Sequence, residues 1–137
     1  MYGSTAIGDF GKFEKDVQVL CDPGNPRDTP KQQPTVHTFD ASTGAIAWQV
    51  NGSPSFSATS VAGGMTFNGP SLGGDILQVR DAGSGHLVDT VAVPGPIWSG
   101  VAVVGDALVT GIGSSYTAQP SGIAVITPGG KAPVVGT

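Results

Sequence analysis

Apolar residues along this chain come in short runs of three to seven, and nearly every run is bounded by Gly, Pro, Asn, Asp or Ser. The runs are Val36–Phe39, Ile46–Val50, Met65–Phe67, Ile76–Val79, Leu87–Val93, Val101–Val104, Ala107–Val109 and Ile123–Ile126. Runs of this length, rich in Val, Ile and Thr and closed by turn formers, predict strands. One segment has helical spacing instead: Phe10, Phe13, Val17 and Leu20 fall at near-helical intervals and predict a helix over 10–20, with Gly11 interrupting it.

The runs repeat. "TFDASTGAIAW", Thr38 to Trp48, and "VRDAGSGHLVD", Val79 to Asp89, fall into register at an offset of 41 residues. Asp40 then meets Asp81, Thr43 meets Ser84, Gly44 meets Gly85, and Trp48 meets Asp89. "VITPGGKAP", Val125 to Pro133, is a weaker third copy. Upstream lies a second landmark, an aromatic followed by small residues and a strand ending in Gly-Asp or Gly-Gly. It occurs at "YGSTAIGD" (Tyr2–Asp9), "FSATSVAGG" (Phe56–Gly64) and "WSGVAVVGD" (Trp98–Asp106). The distance from turn Asp to the next aromatic is 16 and then 17 residues, whereas the distance from aromatic to turn varies from 25 to 38. Constant spacing marks packed strands and variable spacing marks loops. The expected organisation is three units, 2–54, 55–96 and 97–137, each of about four antiparallel strands. A tandem repeat of about 40 residues and four strands has the period of a propeller blade, and three blades are too few to close a ring. The expectation is an all-β partial propeller, cut at both ends, whose partners are the remaining blades or another copy of the chain.

Composition agrees with this pattern. Of 137 residues, 22 are Gly and 11 are Pro, yet the hydrophobic fraction of 39% is enough to build a core. Only 12% are charged and the net charge is −4, with no run of Lys or Arg. That argues against nucleic acid and against an anionic membrane surface as partners. No apolar stretch approaches the roughly 20 residues of a membrane-spanning helix, and the first residues lack the basic start and apolar run of a signal peptide. Cys21 is the single cysteine, so neither an internal disulfide nor a cysteine-based metal cluster is expected.

The local motif identifies a family. "FDASTGAIAW" resembles the tryptophan-docking repeat of the pyrroloquinoline quinone (PQQ) type β-propellers, whose pattern is roughly Ala-x-Asp-x-x-Thr-Gly-x-x-x-Trp. Asp40, Thr43, Gly44 and Trp48 match it, with Thr38 at the Ala position. In the second copy Asp81 and Gly85 match, Ser84 replaces Thr, and Asp89 replaces Trp. The run Gly105–Gly111 is similar to the strand that precedes the motif in that family. The likeness spans the chain and fades from the first copy to the third.

The resemblance implies that Trp48 packs against a neighbouring blade while Asp40 and Thr43 hold the turn. It implies two unlike functions. Some members are quinoprotein dehydrogenases, oxidoreductases that hold PQQ and Ca²⁺ and oxidise alcohols or sugars with a carboxylate base; others are non-catalytic scaffolds. A periplasmic or secreted setting is also implied by the family. The reading taken for this chain is a non-catalytic binding or scaffold portion, with no cofactor evident in the chain itself; the alternative is part of a PQQ-dependent dehydrogenase.

The candidate site residues are few. "CDPGNPRDTP" gathers Asp22, Asn25 and Asp28 as oxygen donors and Arg27 as a cation, although its spacing matches no calcium loop and its prolines suit a rigid surface loop. Tyr2, Phe56 and Trp98 are expected to open the innermost strand of each copy, either as packing between blades or as an aromatic mouth. His37 and His86 lack a nearby carboxylate pattern, so no metal site is assigned.

Overall fold

The computed structural model describes residues 1–4, 13–14, 17–18, 35–52, 55–71, 76–113 and 121–130. Every regular element among them is a β-strand. Sheet one is built from β1 (Tyr2–Ser4), β4 (Val36–Phe39) and β5 (Ile46–Val50), in the order β1-β4-β5. Sheet two is the meander β6 (Ser60–Ala62), β7 (Met65–Asn68), β8 (Ile76–Asp81) and β9 (Leu87–Ala92). Sheet three is the meander β10 (Val101–Val104), β11 (Ala107–Ile112) and β12 (Gly122–Ile126). A separate two-stranded ladder pairs β2 (Phe13–Glu14) with β3 (Val17–Gln18). All pairings are antiparallel.

The described residues are therefore all-β, and the strand positions follow the apolar runs closely. One expectation changes. The helix over 10–20 is replaced, where the residues are described, by a hairpin ladder with Phe13 opposite Gln18 and Glu14 opposite Val17. Its apolar spacing fits a hairpin as well as a helix, and Gly11 and the β-prone Val-Gln-Val favour the strand. Of the expected three units of about four antiparallel strands, three antiparallel sheets are present among the described residues. The described strands divide as three, four and three, with the short ladder apart.

Register shows how the sheets correspond. In sheet one Tyr2 pairs with Thr38 and Thr38 with Trp48; in sheet two Phe67 pairs with Val79 and Val79 with Asp89. Both third strands carry an irregularity at the same place, between Thr38 and Phe39 and between Val79 and Arg80. Tyr2 is thus the counterpart of Phe67, and β1 is a second strand. The hairpin turns Ala62–Met65 and Val104–Ala107 align sheets two and three in the same way. Leu108 corresponds to Thr66, Val109 to Phe67, Val125 to Val79, and Ile123 to Leu77.

The turns explain why the repeat motif has its composition. Oδ1 of Asp40 accepts from the N–H of Ser42 and of Thr43, both at 2.9 Å, and from their hydroxyls. Asp81 Oδ1 accepts from the N–H and hydroxyl of Ser84 at 2.8 and 2.6 Å. Gly44 and Gly85 follow with φ of 73° and 75°, and each donates its N–H to the carbonyl of its turn Asp at 2.9 Å.

These bonds, the Ser42 and Ser84 hydroxyls foremost, hold both carboxyls below the ordinary Asp range. A depressed folded-state pKa contributes stability above the unfolded value, about 3.9, and loses it as pH falls toward the folded value. The thermal midpoint is expected to fall below about pH 4, and less steeply in Asp40→Asn. Both carboxylates are solvent-exposed, so the loss is small. An unchanged acid slope in the variant would remove Asp40 from this account.

The core lies between sheets two and three. Phe67, Leu77, Val79 and Val93 meet Ile97, Val101, Ile112 and Ala124, all buried. The first strands of the two sheets are adjacent, and the N–H of Val101 donates to Ser60 Oγ at 3.0 Å.

Candidate functional site

Three places among the described residues bring chemistry-bearing side chains together. The first is the junction of sheets one and two. Trp48 projects from β5, and its indole N–H donates to the carbonyl of Ala82 at 3.0 Å. Its ring lies over Gly85 so closely that a Cβ there would meet Trp48 Cε3 at 2.7 Å. The motif residue of one repeat thus sits on the turn of the next. Tyr2 packs beside it, ring centroids 6.2 Å apart and tilted by 51°.

Arg80 is buried in the same junction. Its guanidinium donates to the carbonyls of Gly85 at 3.1 Å and Asn51 at 2.9 Å and to Gln78 Oε1 at 3.1 Å. Its described acceptors are neutral oxygens, and burial pushes its pKa down. Arg80 acts as a strut between the end of β5 and the turn after β8.

The second place is the segment before each first strand. Phe56 and Trp98 stack at 4.9 Å with 24° between their planes. They precede β6 and β10 rather than opening them, and Tyr2 is not their counterpart, because its register places it in a second strand against Trp48. Beneath the stack lies a buried serine network. Ser55 Oγ donates to the Gly69 carbonyl and is 2.8 Å from Ser57 Oγ. Ser71 Oγ accepts from the Phe56 N–H at 2.9 Å and donates to the Ile97 carbonyl at 2.6 Å. These bonds tie three irregular segments, 55–57, 69–71 and 96–97, whose backbone groups are not satisfied by a ladder. Sequence reading missed these serines, since nothing distinguishes them from the many others.

The third place is a cleft of ≈ 590 Å³ between β9 of sheet two and β11 and β12 of sheet three. Its lining includes Asp89, Val91, Asp106, Leu108, Ile126 and Pro128. Asp89 accepts only from the N–H of Thr90, at 2.7 Å, among the described residues. A volume of this size lies within the range of small-molecule sites.

Asp22, Asn25, Arg27 and Asp28 lie outside the described residues. His37 Nδ1 is 2.9 Å from Gln49 Nε2 and its ring stacks on Phe39, both across or along sheet one. Among the described residues no three His, Cys, Asp or Glu side chains converge. Asp40 and Asp81 are committed to their own turns. No helix among the described residues is long and apolar enough to cross a membrane. No protein-family model and no curated protein matches this chain.

Proposed function

We propose that the chain is a stretch of a PQQ-repeat-like β-propeller, and that it serves as a non-catalytic binding or scaffold portion of its parent. What carries the reading is the placement of Trp48 on Ala82 and Gly85, the motif tryptophan of one repeat against the motif turn of the next. Two further features support it. The motif carboxylates hold turns, as a structural repeat requires. The face of sheet three turned away from sheet two carries Ile123 and Val125, 77% and 58% exposed, at the positions of Leu77 and Val79, 0% and 6% exposed in sheet two. A next sheet of the same kind would cover them.

The non-catalytic half is tested on the full-length parent. It is mixed with PQQ and Ca²⁺, and dye-linked oxidation of alcohols and sugars is assayed together with absorbance titration of the quinone. Neither turnover nor saturable binding is expected. PQQ-dependent turnover would overturn this half in favour of a quinoprotein dehydrogenase. The repeat half predicts further Asp-x-x-Thr-Gly-x-x-x-Trp copies at about 41-residue spacing in the flanking coding sequence, the spacing seen between Asp40 and Asp81; flanks without them would overturn it.

A further inference from the structure

The cleft between sheets two and three has an internal counterpart, and the counterpart is filled. Register makes Asp89 the equivalent of Trp48, since each pairs with the third-strand residue before the irregularity. It also makes Pro128 the equivalent of Ala82, because Ile126 opposite Leu108 corresponds to Arg80 opposite Thr66. At the first junction an indole occupies the space between β5 and the turn after β8, with its N–H on the Ala82 carbonyl. At the second junction the side chain is a carboxylate, and a cleft of ≈ 590 Å³ is present.

We propose that this cleft binds a small aromatic amine, the ring entering the place that an indole fills one repeat earlier. The walls suit a flat apolar ring: Val91 faces Leu108 and Ile126, which pack against the core between the two sheets. The rim suits a cation. Asp89 and Asp106 both line the cleft, and neither forms an ion pair with a described residue. Apolar walls with a few placed polar groups are the usual composition of a small-molecule site. An amine beside the ring would meet two carboxylates; an anion would be repelled by the same pair. The argument rests on register and on the cleft, and not on what the parent does.

Tryptamine is the probe, with indole-3-acetate as its anionic match, titrated by calorimetry into the full 137-residue chain. Tryptamine is expected to bind saturably at one site per chain and indole-3-acetate is not. Asp89→Asn is expected to weaken tryptamine roughly fivefold, the scale of one exposed ion pair. Asp89→Trp is expected to abolish binding by rebuilding the docked indole, and to raise the thermal midpoint. A separate variant, Leu108→Phe, fills the wall from the opposite sheet and should also block binding. Absence of tryptamine binding to the unsubstituted chain, equal binding of both probes, or unchanged tryptamine affinity in a folded Asp89→Asn or Leu108→Phe chain would each overturn the proposal.

Discussion

Trp48→Ala is expected to destabilise the chain by about 3 kcal/mol, the lower end for loss of a large aromatic, because the ring is only half buried. On a domain of this size that lowers the thermal midpoint by roughly 10 °C. The loss has two parts that conservative variants separate. Trp48→Phe keeps much of the ring over Gly85 and removes the N–H that reaches the Ala82 carbonyl, so it should cost about 1 kcal/mol of hydrogen bonding plus some packing. Gly85→Ala attacks the same contact from below. Its Cβ would stand 2.7 Å from the indole, and its φ of 75° is strained for any residue with a side chain. At least about 2 kcal/mol is expected. The two sites are in contact, so their effects should not add: with the indole gone, the alanine keeps only its backbone strain. A double-mutant cycle should return a coupling of about 1 kcal/mol or more. Denaturant melts of the four chains measure it. Strict additivity, or a mild Trp48→Ala, would mean that the indole does not hold the junction together.

Much of the fold is legible in the sequence because its determinants are local. A turn such as Asp40–Gly44 is specified by residues within five positions of each other, and each apolar run between such turns is too short for anything but a strand. Grouping the strands is a different matter. Tyr2, Phe56 and Trp98 look alike in sequence, an aromatic followed by small residues, but cross-strand pairing sets Tyr2 beside Trp48, while Phe56 and Trp98 stack on each other from the irregular segments before β6 and β10. The apolar spacing over 10–20 had the period of a helix, and only the pairing of Glu14 with Val17 reveals a hairpin. The contact of Trp48 with Ala82 is not legible in the local pattern, since the partner lies more than thirty residues ahead. The cleft had a visible signal in the change from Trp48 to Asp89 between copies. Sequence could not show that Asp106, Leu108 and Pro128 would gather around the vacancy, because those residues come from another sheet.

The isolated 137-residue chain is expected to self-associate, and sheet three is where it should do so. The side chains of β12 alternate between its two faces. Ala124 and Ile126 turn toward sheet two, which leaves Ile123 and Val125 on the opposite face with their ladder neighbours Gly111 and Val109. Val104 continues the same face on β10, at the position of Ala62, and is itself exposed. The corresponding face of sheet two is the one buried against sheet three, and Leu77 on it is completely covered. A row of exposed Val and Ile side chains with no sheet over it among the described residues is the kind of patch that drives association. Few charges stand against it, since only 12% of the chain is charged. Sedimentation should show mass rising with concentration, end sheets of different chains covering each other. Ile123→Lys together with Val125→Lys should return a monomer. Both side chains are largely exposed, so the pair should change cooperative unfolding by less than about 1 kcal/mol. A concentration-independent monomer for the unsubstituted chain, or association that survives both lysines, would show that this face does not receive a further sheet.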